Sequence, residues 1–237
     1  MKIVVKLPSF LNNMYLRLNF YLKLVCGRVA PKIITDTFHV MYYHSPNTWN
    51  KTHWLGTPLL KCPLDLWIFQ EIIYELKPDI IIECGTNKGG SASFLATLCD
   101  LVKNGRIISI DIEDYEGKPQ HDRIQYIIGS STSNEVVSKV KTQISEDHKV
   151  LVILDSDHSK EHVLNELRIY KDLVTKGSYI IVEDSNVNGY PVVYNFGPGP
   201  MEAINVFLKE NKNFKIDKQR EKYYLTFNPN GYLKKIK

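Results

Sequence analysis

From residue 63 onward, apolar runs of strand length alternate with stretches of helical period. "PLDLWIFQEIIYEL" (63–76) opens on Pro63 and breaks at Pro78, which predicts a helix. "DIIIECG" (79–85) is a continuous apolar run ending in turn residues, the pattern of a buried strand. "SASFLATLCDLVK" (91–103) predicts a helix stopped by Asn104-Gly105. "RIISIDI" (106–112) and "RIQYIIGS" (123–130) predict the second and third strands, separated by the loop-like "EDYEGKPQHD". "SNEVVSKVKTQI" (133–144) puts Val136, Val137, Val140 and Ile144 on one helix face. A fourth strand, "KVLVILDSD" (149–157), leads to the helix "SKEHVLNELRIYKDL" (159–173), and "SYIIVEDS" (178–185) is a fifth strand. A loop rich in Gly, Pro and aromatics (186–199) precedes the helix "PMEAINVFLKEN" (200–211). "FKID" (214–217) and "KYYLTFNP" (222–229) predict a closing antiparallel pair. The alternation implies an α/β fold: a doubly wound, Rossmann-like sheet, mainly parallel, with an antiparallel hairpin strand at its C-terminal edge.

The N-terminal stretch has a different character. Leu11, Tyr15, Leu18, Leu22 and Val25 recur at helical spacing. Residues 1–32 carry six basic residues (Lys2, Lys6, Arg17, Lys23, Arg28, Lys32) and no acid. The remainder carries 24 basic and 26 acidic residues, so the net charge of +4 belongs to the arm. A slightly acidic body argues against nucleic acid as a partner. Arg17 and Lys23 interrupt the apolar run and no small-residue cleavage site follows, which argues against a signal peptide. Two uses fit the arm: packing on its own body or a partner subunit, the commoner one, or peripheral contact with an anionic membrane. The division expected is an arm and cap segment (1–60) and a catalytic domain (61–237). Four scattered cysteines without a CxxC pair exclude a disulfide framework and fit a reducing, cytoplasmic setting, peripheral on the inner membrane face if the arm touches lipid.

The chemistry begins at "IIECGTNKGGSASFL" (81–95). A phosphate-binding loop needs Gly-Lys-Ser/Thr, but here Lys88 precedes Gly89-Gly90. The spacing also differs from G-x-G-x-x-G, and Glu83 would repel a pyrophosphate. A ligand with an amino-acid tail and a ribose but no phosphate suits Glu83, Gly85, Thr86, Gly89, Gly90 and Ser91 better, and S-adenosylmethionine is such a ligand. Asp111 ends the second strand, where a carboxylate accepts ribose hydroxyls. Gly129, Ser130 and Ser131 end the third, where an adenine edge would lie. The competing reading is a tight turn for the glycines and a surface carboxylate for Asp111.

Asp155, Asp157 and His158 end the fourth strand, and Glu183 and Asp184 the fifth. Carboxylates converging beside a cofactor favour a hard divalent cation. Such an ion binds neighbouring hydroxyls and lowers the pKa of the one attacked. His158 is the candidate base; a capping role before Ser159 is the alternative. Asp155, Glu183 and Asp184 are the first choice of ligands, with Asp157 in reserve. Consecutive residues 183 and 184 both ligate only if the strand turns there.

"MYYHSPNTWNKTHWLGTPLLKCPLDLW", the glycine-turn stretch, "LDSDHSKEHV" and "GSYIIVEDSNVNG" together resemble the cephalosporin hydroxylase / rhamnosyl O-methyltransferase family, from about residue 38 to the C-terminus. The first segment is the most specific. The resemblance implies a class I methyltransferase fold and magnesium-assisted transfer to a sugar hydroxyl on a natural product, glycolipid or surface polysaccharide. It implies that Asp155 with His158 three positions later forms the catalytic pair. Together with the apolar arm it points to a homo-oligomer. Trp49, His53, Trp54 and Lys61 precede the first core helix. They would cap the cofactor or hold a sugar face, with Lys61 on the methionine carboxylate, or serve packing and solvation only. Tyr190, Tyr194 and Phe196 would shape the acceptor site. Two rivals stay open. One is a glycosyltransferase using Asp155-Ser156-Asp157 for a metal and a sugar nucleotide. The other is a noncatalytic relative that binds cofactor or glycan.

Overall fold

The computed structural model describes the backbone of residues 9–237, and the side chains of residues 14–237 other than Cys26 and Val29. Lys2, Lys6 and the Leu11 side chain, all assigned to the arm, lie outside the described residues. Two helices come first, α1 (Ser9–Val29) and α2 (Pro31–His44), the second starting with Pro31 in its first turn, where a missing N–H costs nothing. A two-strand hairpin follows, β1 (His53–Trp54) and β2 (Thr57–Pro58), turning through Leu55 and Gly56 at φ 47° and 87°. Trp54 packs edge-on against Phe94 and holds the hairpin on the body.

The body runs α3 (Pro63–Leu76), β3 (Ile80–Cys84), α4 (Gly90–Val102), β4 (Arg106–Asp111), β5 (Ile124–Ile128), α5 (Asn134–Lys141), β6 (Val150–Leu154), α6 (Lys160–Tyr170), β7 (Tyr179–Val182), α7 (Pro200–Glu210), β8 (Phe214–Ile216) and β9 (Tyr232–Lys235). The seven main strands lie in the order β5-β4-β3-β6-β7-β9-β8. The first five in that order are parallel, and β9 is antiparallel to both β7 and β8. The predicted doubly wound sheet is therefore what forms.

Strand alternation divides the core. Ile80, Ile82, Val152 and Leu154 face α5, α6 and α7, whereas Ile81, Leu151, Ile153 and Tyr179 face α3 and α4. Both faces are covered, which is why these strands are apolar throughout. Each such fully buried side chain contributes ~1.5–3 kcal/mol.

One element departs from expectation. "KYYLTFNP" is not a strand; the last strand is Tyr232–Lys235. Its backbone and side chains serve a buried carboxylate instead: Thr226 Oγ1 and Phe227 N–H donate to Asp65 at 2.5 and 2.8 Å. Leu225 and Phe227 meanwhile pack with Cys62 in a separate small apolar cluster.

The chain leaves β3 toward β4 and β5 on one side, and β6 leads to β7 on the other. The order reverses between β3 and β6, and ligands of such sheets bind beyond the strand ends at that reversal.

Candidate active site

At the reversal, β3 and β6 come together closely enough to require glycine. Gly85 has φ +96°, and a Cβ added there would lie 1.9 Å from the Asp155 carbonyl oxygen. Gly90 opens α4 under β2, where a Cβ would lie 2.1 Å from the Pro58 carbonyl oxygen. The turn between them leaves a cavity of about 320 Å³ lined by Lys61, Thr86, Lys88, Gly90, Ser91 and Asp155. A second cavity of about 660 Å³ shares Gly85, Asn87 and Asp155 with it. That cavity extends past Asp111 and Gly129–Ser131 on one side and His158 and Asp184 on the other. Tyr43 and Trp49 from the N-terminal segment and Phe196 from the long loop also line it. Tyr190 and Tyr194 line a different cavity of about 710 Å³ beside α2. Trp54 is engaged with Phe94, and His53 lies at the rim of the smaller cavity.

Asp111 has work within the protein. Its Oδ2 accepts from Thr86 N–H at 2.9 Å and Asn87 N–H at 2.7 Å, and its Oδ1 accepts from Glu113 N–H at 2.9 Å. The carboxylate thus ties the glycine turn to the end of β4; Oδ2 is filled by its two donors, and Oδ1 keeps a second lone pair for the cavity. Glu83 is fully buried and accepts from Ser109 Oγ at 2.5 Å. Burial pushes its carboxyl up to about 6 against the pull of Lys61. Its Oε1 has no hydrogen-bond partner among the described residues, so a donor is wanted at the floor of the turn.

Lys61 is the residue whose surroundings the sequence did not disclose. Its Nζ is buried and donates to Asp155 Oδ2 at 2.5 Å and Glu183 Oε1 at 2.6 Å. Burial pulls its pKa down, but Asp155 and Glu183 outweigh that and hold the ammonium protonated. Glu183 is pushed well up by burial, and further by Asp155.

Asp184 turns away from Glu183 because its backbone is left-handed, at φ 52°, two residues past the end of β7. Its N–H donates to Asn228 Oδ1 at 3.1 Å, and its Oδ2 lies 3.2 Å from His158 Nε2. Burial raises the Asp184 carboxyl, and His158 moderates the shift. Ligand atoms of Asp155, His158 and Asp184 all lie within 4.8 Å of one another. Two expected ligands stand apart from that group. Glu183 holds Lys61, and Asp157 Oδ1 accepts from Ser159 N–H at 2.7 Å at the start of α6. Asp155 and Asp157 therefore diverge and do not form a common clamp. Asp155 and Asp184 offer hard carboxylate oxygens beside a histidine nitrogen, donors that a divalent cation takes. The donor set fits such an ion.

A network not anticipated from the sequence underlies the turn after β5. Glu166, fully buried on α6, accepts from Ser131 Oγ at 2.5 Å and Ser156 Oγ at 2.7 Å. His162, one turn earlier, lies 3.4 Å from the same Glu166 oxygen, and that carboxylate raises its pKa. The His162/Glu166 spacing of four was the available signal.

A family model described as Rhamnosyl O-methyltransferase/CmcI matches residues 46–236. The Rhamnosyl O-methyltransferase of Mycobacterium leprae is 38% identical over 206 residues, covering 84% of this chain and 90% of its own. That of Mycobacterium tuberculosis is 37% identical over 207 residues, covering 84% of each. Among solved structures, cmcI with Mg and SAM superposes with a TM-score of 0.60 at 18% identity, over 83% of this chain and 84% of that one. An O-methyltransferase from Bacillus cereus in complex with SAH gives 0.51 at 17% identity, over 81% and 86%. The two structures share the fold.

Proposed function

Because this chain belongs to the Rhamnosyl O-methyltransferase/CmcI family and is an S-adenosylmethionine-dependent O-methyltransferase, we propose that its acceptor is a sugar hydroxyl and that a divalent cation, magnesium in the first instance, assists the transfer. The observation that carries this reading is the cluster of Asp155, His158 and Asp184 beside the glycine turn, in one continuous crevice. The relatives named Rhamnosyl O-methyltransferase support the sugar, and the paired carboxylate oxygens of Asp155 and Asp184 support the ion.

S-adenosylmethionine supplies an electrophilic methyl group to the crevice. The turn at Gly85–Gly90 admits its amino-acid tail, Glu83 Oε1 is the acceptor that its ammonium would satisfy, and Asp111 faces its ribose. Asp155 and Asp184 would hold the cation, which would lower the pKa of a bound hydroxyl. Glu183 and Lys61 fix the Asp155 carboxylate in place. His158, oriented by Asp184, takes the proton from the acceptor hydroxyl, and the carboxylate stabilises the imidazolium that results. Tyr43, Trp49 and Phe196 offer apolar faces on which a sugar ring stacks. The gain is chiefly one of placement, with nucleophile and methyl carbon held in line.

The test is methyl transfer from labelled S-adenosylmethionine to a panel of rhamnosides, other glycosides and catechol. Labelling of a glycoside, lost in Asp111→Ala together with cofactor affinity, is expected. Labelling of catechol alone would overturn the acceptor class.

A further inference from the structure

We infer that α1 docks in the plane of an anionic lipid bilayer. Six large apolar side chains of this helix, Tyr15, Leu18, Phe20, Tyr21, Leu22 and Val25, are each 55–61% exposed. Neither the body nor α2 covers them, whereas a helix of a globular protein ordinarily buries its apolar stripe. At about 100° per residue, Met14, Tyr15, Leu18, Tyr21, Leu22 and Val25 share one half of the helix. Arg17, Asn19 and Lys23 fall in the other half together with the exposed Leu16, Phe20 and Leu24, and Arg28 lies at the border, so apolar surface runs round the helix between three basic residues. Ile33, Ile34, Phe38 and Met41 extend the uncovered apolar surface along α2. A patch of this extent marks an interaction surface.

Charge selects the occupant. Every charged residue of the described part of α1 is basic. Two α1 helices from two copies would set Arg17, Lys23 and Arg28 only against like charges, without the acid–base pairs that register paired helices. Anionic headgroups complement all three. Residues 33–237 carry a net charge of −2, so the same surface repels the body and attracts the arm, which fixes the orientation. No helix among the described residues is long and apolar enough to cross a membrane. A helix of 21 residues with basic and aromatic side chains instead lies along the interface, its apolar side chains in the acyl boundary and its basic side chains and Tyr rings at headgroup level.

The experiment is flotation of the full chain with vesicles of phosphatidylglycerol and phosphatidylcholine mixed, or of phosphatidylcholine alone, at low and high salt. Sedimentation velocity and calorimetry with S-adenosylmethionine accompany it as controls of assembly and folding. Binding to the anionic vesicles is expected, weakened at high salt and at least tenfold weaker to phosphatidylcholine alone. Lys23→Gln should weaken it about fivefold. The double variant Leu18→Glu/Leu22→Glu should abolish it while leaving mass and cofactor affinity unchanged. Failure to float with anionic vesicles overturns the proposal. So does a fall in oligomeric mass in the double variant, which would make α1 a contact between copies.

Discussion

Replacing Lys61 with Met removes the one ammonium between two carboxylates while keeping most of the buried stem. The structure sets the size of the effect. Nζ lies 2.5 Å from Asp155 and 2.6 Å from Glu183, and the residue is only 4% exposed, so solvent cannot take its place. Breaking a buried pair in this way costs ~3–5 kcal/mol, because the remaining charges are left uncompensated. For a chain of this size the midpoint of thermal unfolding should fall by roughly 6–20 °C. Pairing the change with Glu183→Gln separates charge from packing. If the charges interact as described, the double variant is less destabilised than the sum of the singles by at least ~1 kcal/mol. Urea denaturation of the four proteins in chelator-treated buffer reads both quantities. A Lys61→Met variant within ~1 kcal/mol of the parent, or strict additivity with Glu183→Gln, would refute the reasoning.

Three further outcomes are expected. His158→Asn should lower kcat by about 10²–10⁴-fold, with S-adenosylmethionine affinity within about twofold in calorimetry, since the imidazole is assigned a proton and not the cofactor. Gly85→Ala should cost at least ~2 kcal/mol in thermal melts and abolish cofactor binding, because its Cβ would lie 1.9 Å from a backbone oxygen at φ +96°. Asp65, pushed by burial up to about 6 from 3.8, binds its proton more tightly in the folded state. Its ionisation therefore opposes folding by about 3 kcal/mol above pH 6, and that penalty disappears below pH 4. The stability of the parent relative to Asp65→Asn should accordingly fall as pH rises from 4 to 6, measured by urea midpoints.

The sheet was legible because its strands are buried on both faces and read as unbroken apolar runs, and its helices carry clear periods. β9 was missed for the opposite reason. Four residues including two lysines make no strand pattern, and only the unpaired edge of β7 calls for one. The neighbouring "LTFNP" looked extended, but its hydrogen bonds go to Asp65, 161 and 162 residues away for Thr226 and Phe227. In the crevice, the residue types were readable and their partners were not. Lys61 meets Asp155 and Glu183 across 94 and 122 residues. Which of Glu183 and Asp184 faces the cluster depends on one left-handed backbone angle. Asp111 was read as a ribose acceptor, and the structure adds that it anchors the glycine turn.

The central claim is that Asp155 and Asp184 hold a divalent cation beside His158 during methyl transfer to a sugar. The most direct measurement is the rate of glycoside methylation in chelator-stripped protein as magnesium is added back. The account predicts no turnover without the ion, recovery on its addition, and a higher magnesium requirement in Asp184→Asn with unchanged affinity for S-adenosylmethionine. Full turnover in the presence of chelator, with cofactor binding intact, would contradict it.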